Sequence, residues 1–431
     1  MLIKIVSAAL HGIDGILISV EVDISRGLPG FTTVGLPDSS VRESKDRVKA
    51  AIKNSGYDFP PQKITVNLAP ADIKKEGPSF DLPIALGLLA ASDIVPAEKL
   101  KRYLIVGELS LDGTLLPVSG VLSISLCAAR EGYHGVVVPY QNGEEAQLVQ
   151  EIEVIAAKNL YQVVEIFNGL REIVANLSSE PERVQARASI CLEDVRGQQG
   201  AKRALEIAAA GMHNIVLEGS PGTGKTMLAK CLPSIMAEWS FEERLETTRI
   251  YSALNRGKKS TLVMQRPFRS PHHTVSEAGL IGGGTMPKPG EVSLAHNGVL
   301  FLDELPEFKK QVLEVLRQPL EEGEVTISRA QSSVRYPSRF MLVAAMNPCP
   351  CGFLGDEKNR CQCSEQQIKR YTSRLSGPLL DRIDMHVAVG YIDFDKVEEK
   401  SDTETSARVR ERVHRAHQVQ AERFGTSSTC S

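Results

Sequence analysis

Two α/β units in series, the second a parallel sheet built around a phosphate-binding loop, are what this sequence predicts. Three observations carry that prediction. Short apolar runs alternate with helical stretches over residues 1 to about 170, a glycine-rich turn joins a strand to a helix at 219–226, and an apolar run ends in Asp303-Glu304. The length, 431 residues, accommodates two to four domains. With 42% hydrophobic and 24% charged residues, a disordered or fibrous chain is excluded.

In the first unit, 1–172, strand-like runs at Leu17–Val22, Ile64–Leu68, Tyr103–Val106 and Gly135–Val138 alternate with helices at Ser40–Ser55 and Leu82–Ala91. A polar stretch containing Ser178-Ser179-Glu180-Pro181-Glu182-Arg183 marks 173–190 as a linker. The second unit, 191–392, opens with a helix at Gln198–Ala209, a strand at Ile215–Leu217 and a helix at Met227–Cys231. A final helix, Thr405–Phe424, and a polar tail fill 393–431. The longest apolar run, Leu82–Ala91, is about half of what a membrane-spanning helix needs, and the N-terminus lacks the unbroken apolar core of a signal peptide. Eight cysteines in such a chain fit a reducing compartment, so a soluble cytoplasmic protein without a membrane partner is expected.

Gly219-Ser220-Pro221-Gly222-Thr223-Gly224-Lys225-Thr226 matches G-x-x-x-x-G-K-[ST] in full. Its glycines let backbone N–H groups turn toward phosphates, and the following helix adds its positive dipole end. Lys225 would reach the β- and γ-phosphates of ATP, and the Thr226 hydroxyl would ligate Mg²⁺. Val299-Leu300-Phe301-Leu302 then delivers Asp303 and Glu304 to a strand end. There Asp303 can support Mg²⁺ and Glu304 can activate water. A third strand, Met341–Met346, ends in Asn347, which could position water as an amide but on spacing alone reads better as a turn residue before Pro348. Spacing alone lets Arg382 pair with Asp384. Together these signals predict an ATPase.

Two stretches lack acidic residues. Thr247–Ser276 holds Arg249, Arg256, Lys258, Lys259, Arg266 and Arg269 with His272 and His273, and Val325–Phe340, patterned as a hairpin, holds Arg329, Arg335 and Arg339. One such run is ordinarily a solvated face; two in an ATPase point to a polyanion such as DNA, despite a net charge of −3. Few aromatics accompany them, so backbone contact is expected over base stacking. Cys349, Cys351, Cys361 and Cys363 form two Cys-x-Cys pairs that can offer four thiolates to a structural Zn²⁺ pinning the loop after Asn347. The other reading is four free or packed thiols. Cys127, Cys191 and Cys231 read as isolated core residues.

The second unit resembles an AAA+ ATPase module of the magnesium-chelatase-like branch, close to the ComM/YifB group. The resemblance is carried by Asp194-Val195-Arg196-Gly197-Gln198, the phosphate loop, Arg269-Ser270-Pro271-His272-His273-Thr274, Gly298 to Phe308 and Asn347-Pro348-Cys349-Pro350-Cys351-Gly352. It implies that Asn347 is the sensor-one residue and Arg382 an arginine finger acting on a neighbouring subunit's ATP. It also implies a homo-oligomeric ring, a hexamer, with inserts and hairpins facing a pore through which DNA passes, and branch-migration activity in recombination. The first unit resembles the proteolytic domain of Lon, a ribosomal S5 domain 2-like α/β fold. Ser79 falls on the segment holding Lon's nucleophile, but Leu122 stands where the partner lysine belongs, so no protease dyad is expected. Ser79 is then expected to cap or pack at a helix start. The family's helical lid continues past one helix to a second sensor arginine, which maps onto no residue here, so an incomplete lid is expected. Rival readings are a chelatase-type motor subunit, an ATP-dependent protease and an inactive nucleotide-binding fragment.

Overall fold

The computed structural model describes residues 1–73, 75, 77–173, 190–254, 262–284, 287–329, 332–356, 358–391 and 404–424. Contacts divide the chain into two units: residues 1–182 with 248–262, and 183–247 with 263–431.

In the first unit, β1 (Leu2–His11), β2 (Asp14–Ser25), β3 (Gly30–Val34), β4 (Lys63–Ala69), β5 (Tyr103–Ile105), β6 (Gly135–Pro139) and β7 (Glu153–Ala157) form one mixed sheet in the order β3-β4-β2-β1-β5-β6-β7. β1 and β2 are a long antiparallel hairpin, and β5, β6 and β7 run parallel beside β1. Helix α1 (Ser39–Asn54) is capped by Asp38, whose Oδ1 accepts the Val41 N–H at 2.8 Å. It buries Val41, Ser44, Val48, Ala51 and Ile52, the stripe expected of a helix lying on a sheet. Helix α2 (Asp81–Ala91) is buried on every side from Asp81 to Ala90. That all-round burial explains why its sequence carries no polar stripe. Gly87 lets α2 approach β2, since a Cβ there would lie 2.6 Å from Val22 Cγ2.

One charge is sealed into this core. Asp81 is fully buried and accepts from Arg47 Nε at 2.7 Å and Nη2 at 3.0 Å, with the Leu109 N–H at 3.3 Å. Burial pushes its carboxyl up to about 6 in spite of the guanidinium. Arg47→Ala is therefore expected to cost about 3–5 kcal/mol of stability at pH 8, where the carboxylate would be left buried without its partner. The folded-state pKa lies above the ordinary 3.8, so folding takes up a proton as the pH falls through 6, and the loss should shrink at pH 5. Calorimetric melts at both pH values check this; an equal loss at each would assign the effect to packing.

Of the two roles expected of Ser79, packing at a helix start is what the structure shows, and capping is not. It lies in a single 3₁₀ turn, Pro78–Phe80, and its carbonyl accepts the Gly107 N–H at 2.9 Å, while α2 begins without a side-chain cap. Leu122 is fully buried within α3 (Val121–Arg130).

The second unit is organised by a five-stranded, wholly parallel sheet: β8 (Ile215–Glu218), β9 (Phe268–Arg269), β10 (Val299–Leu302), β13 (Met341–Met346) and β14 (Met385–Ala388), in the order β9-β10-β13-β8-β14. The central strands β10 and β13 are buried along their whole lengths, as strands covered on both faces must be. Helix α4 (Gln199–Gly211) precedes β8, and α5 (Lys225–Ile235) leaves the loop after it. β11 (Glu324–Arg329) and β12 (Ser332–Pro337) form the expected hairpin. Helix α6 (Ser406–Phe424) packs on α4 and α5, burying Val409 and Val413, and Arg412 grips Glu206 at 2.6 and 3.0 Å. Residues 174–189 of the expected linker and the tail 425–431 lie outside the described residues.

The helix Phe241–Leu254 begins in the second unit, but Thr248–Leu254 belongs to the first. There Arg249 pairs with Asp14 at 2.5 Å and Ser252 donates to the buried Glu145. Sequence places this segment wholly in the second domain; its acidic partners lie more than a hundred residues upstream, beyond the reach of any local pattern. No helix among the described residues is long and apolar enough to cross a membrane.

Candidate functional site

The carboxyl ends of β8, β10 and β13 converge, the place where parallel α/β sheets bind ligands. β8 delivers the loop Gly219–Thr226. Gly219 sits so near β14 that a Cβ would lie 2.3 Å from the Val389 carbonyl oxygen, which only glycine tolerates. Gly222 and Gly224 adopt φ of 81° and 88° with no heavy atom within 4 Å of where a Cβ would be, so the loop presents backbone to open space. Lys225, the first residue of α5, folds back over the loop. Its Nζ donates to the carbonyls of Gly219 at 2.7 Å and Ser220 at 2.9 Å and to Asn347 Oδ1 at 3.2 Å. Burial lowers its pKa, with Asp303 opposing. An ammonium held by three neutral oxygens at the mouth of an open backbone cradle suits an anionic ligand.

β10 delivers Asp303, whose Oδ2 accepts from Thr226 Oγ1 at 2.8 Å. That hydroxyl–carboxylate pair is an oxygen donor set of the kind Mg²⁺ takes. Glu304 follows in a left-handed conformation, φ 52° and ψ 48°, unusual for a residue with a side chain. The turn directs its carboxylate to His273, Nδ1 to Oε2 3.6 Å. The His272 and His273 ring centroids lie 4.1 Å apart with the planes tilted by 35°, and Phe308 meets His273 edge-on. Sequence reasoning named His273 as part of a motif and of an acid-free stretch, without a place in this site; its position just past β9, the strand beside β10, was the available signal.

β13 delivers Asn347. Its amide reaches Lys225, so the turn-residue reading gives way to one in which the amide belongs to this cluster. Gln198, also in a left-handed conformation, donates to the Gly390 carbonyl at 2.7 Å and the Thr223 carbonyl at 3.3 Å, tying the loop to the end of β14. Arg382 stands apart from this group. It does not pair with Asp384, which accepts from the Asn214 N–H at 2.7 Å. Its guanidinium instead pairs with Glu321 and donates to the Pro378 carbonyl.

The thiols of Cys349, Cys351, Cys361 and Cys363 all lie within 4.8 Å of one another. Backbone N–H groups of Gln362 and Phe353 hold the Cys351 thiol down at about 6, while burial and the neighbouring thiols push Cys361 up and Cys363 up to about 12. Of the cysteines read as isolated, Cys127 and Cys231 are buried, but Cys191 is only half-buried and its carbonyl lies 3.2 Å from Cys231 Sγ.

Three cations of the first basic stretch require correction. Arg249 is taken by Asp14, Arg266 is buried against Glu243 with its N–H groups on the Ala237 and Asn297 carbonyls, and Arg269 forms a two-pronged pair with Glu291 at 2.6 and 2.7 Å. These cations hold the fold together and are not a free basic face. Arg256, Lys258 and Lys259 lie outside the described residues. On the hairpin, Arg335 is 75% exposed, with Glu324 3.6 Å away across the strands.

The family described as "Magnesium chelatase, subunit ChlI" matches residues 191–397, and "Subunit ChlI of Mg-chelatase" matches 20–142. Lon protease of Geobacter metallireducens is 28% identical over 171 residues, 36% of this chain and 20% of that protein. YifB of Salmonella typhimurium is 46% identical over 96% of this chain and 81% of its own length. Competence protein ComM of Haemophilus influenzae is 47% identical over 97% of this chain and 82% of its own length. On that similarity the chain belongs to the ComM/YifB family of magnesium-chelatase-like proteins.

Proposed function

We propose that this protein is a Mg²⁺-dependent ATPase of the AAA+ type that assembles into a hexameric ring in the cytoplasm and remodels or translocates DNA. The observation that carries the reading is the convergence of Lys225 with Asn347 and of Thr226 with Asp303 at adjoining strand ends. In this reading the open cradle Gly219–Gly224 and Lys225 bind the triphosphate, and Thr226 and Asp303 hold Mg²⁺, which neutralises charge on the phosphate oxygens. Glu304 accepts the proton of the attacking water, and Asn347 orients that water. Arg382 supplies positive charge to a neighbouring subunit's site. The four thiols take a structural Zn²⁺.

Two observations favour DNA as the substrate. A relative is named a competence protein, and the hairpin β11–β12 exposes Arg335. The described basic residues before β10 add nothing, being paired within the fold. In the first unit the buried Leu122, where Lon has its lysine, favours a scaffold over a protease.

The test is ATP turnover and particle size with and without single-stranded and forked DNA. Several-fold stimulation by DNA, absent in Lys225→Ala, is expected. Turnover and assembly that ignore DNA would remove the DNA half of the reading; turnover no higher than that of Lys225→Ala would remove the ATPase half.

A further inference from the structure

Between Met346 and helix α7 (Glu365–Thr372 in the second unit, introduced by a Ser364–Gln367 capping box) the described chain has neither helix nor strand. A segment of this length without regular structure keeps one shape only if something other than a backbone ladder fixes it. Two features do so, one at its centre and one at its edge.

At the centre are the thiols. Cys349 is fully buried just past the strand end. Its sulfur lies 3.3 Å from that of Cys351 and 3.7 Å from that of Cys361, and Cys351 and Cys361 are 3.6 Å apart. Zinc bound to four thiolates at about 2.3 Å sets the sulfurs about 3.8 Å apart along the edges of a tetrahedron. The cluster has that size. Four sulfur donors with no oxygen or nitrogen among them select a soft, zinc-class ion over Mg²⁺.

At the edge, the segment touches the phosphate loop twice. Gly352, at φ 86°, lies against Pro221 so closely that a Cβ would sit 2.6 Å from its Cδ. The Ser220 side chain beside Asp356 holds its carboxyl below the usual carboxylate range, and Asp356 Oδ1 accepts the N–H groups of Lys358 at 2.9 Å and Asn359 at 2.7 Å. Ser220 and Pro221 form the crown of the loop, and the Ser220 carbonyl is one of the three acceptors that hold Lys225 Nζ. The contact partners Gly352 and Asp356 both lie between the two Cys-x-Cys pairs, inside the span a bound ion would close.

We propose that the four cysteines hold one zinc ion per chain, and that this ion, through Gly352 and Asp356, sets the shape of the phosphate loop so that nucleotide binding depends on it. The cluster is then a clasp on the nucleotide site. The inference rests on the ATPase reading for the identity of the ligand at that loop. Cross-linking the segment removes the conformational freedom that would otherwise have to be lost each time Ser220 and Pro221 are braced.

The experiment uses the full chain, with metal content by mass spectrometry and binding of a fluorescent ATP analogue. One zinc per chain is expected, and its removal by chelator under reducing conditions should weaken analogue binding about tenfold or more. Zinc, and not Mg²⁺, should restore it. Cys361→Ser should lose both the zinc and the affinity. Because that variant can also misfold, Asp356→Asn is the control: it keeps the thiols and the zinc but weakens the charged hydrogen bond to Ser220. It should lower affinity by up to about tenfold at full zinc content. Zinc-free protein that binds the analogue as the loaded protein does, Asp356→Asn that binds like the wild type, or a chain that takes up no zinc each overturns the proposal. A zinc-loaded wild-type chain that binds no analogue takes down the ATPase reading as well, so the two failures are told apart.

Discussion

Glu304→Gln should lower ATP turnover by about 10²–10⁴-fold while leaving nucleotide affinity within about threefold. The two halves of this expectation come from different contacts. Affinity is assigned to Lys225 and Thr226, whose partners are Gly219, Ser220, Asn347 and Asp303; none of these bonds involves the Glu304 side chain. Turnover is assigned to the Glu304 carboxylate. It is more than half exposed, 3.6 Å from His273 and bound to nothing more tightly among the described residues, so it can accept a proton from water. Glutamine keeps the size and the left-handed backbone turn, in which the Glu304 N–H donates to Asp303 Oδ1 at 3.0 Å. It removes only the basic oxygen. Phosphate release measured at saturating ATP, beside analogue binding, separates the two effects. Turnover within twofold of wild type would show that the water is activated by another group, His273 being the nearest candidate.

The reach of sequence reasoning differed between parts of the molecule for a physical reason. Strands β8, β10 and β13 announce themselves because each is buried on both faces and must be apolar throughout, and because each ends in a polar residue at the same edge of the sheet. The loop between β8 and α5 is legible because phosphate-binding geometry demands glycine at fixed positions. Charge was read less well. A stretch without acids looks like a free basic face, yet Arg249, Arg266 and Arg269 are neutralised by Asp14, Glu243 and Glu291. Composition within a window cannot show partners that folding brings in from outside it. Arg382 repeats the lesson: the acid two residues away, Asp384, caps Asn214, and the acid that pairs is Glu321 on another element. Gly352 was named only as the end of a motif and Asp356 not at all, because their meaning lies in what they touch, Pro221 and Ser220.

Arg382→Ala should cost about 10³–10⁵-fold in turnover, the range an arginine finger supplies, with nucleotide affinity unchanged. Within one chain Arg382 has no place in the cluster around Lys225; its guanidinium is held by Glu321 and the Pro378 carbonyl, and its Nε is buried without a partner among the described residues. A residue that serves its own site would be expected among the loop contacts, and this one is stationed elsewhere. Action on the neighbouring subunit makes a specific demand of mixtures. Arg382→Ala chains keep Glu304 and lack the finger, whereas Glu304→Gln chains keep the finger and lack the base. Each is nearly inactive alone, but in a mixed ring an Arg382→Ala site beside a Glu304→Gln neighbour regains both groups. Turnover of the mixture should therefore exceed the sum of the two variants many-fold and rise with protein concentration as assembly proceeds. A mixture that gives only the sum would place Arg382 outside the reaction. Glu321→Gln separates the remaining alternative, a purely structural pair. If the ion pair merely holds the fold, Glu321→Gln should lower turnover and thermal stability together with Arg382→Ala. If Glu321 only parks the finger until a neighbour arrives, its loss should leave turnover intact or raise it.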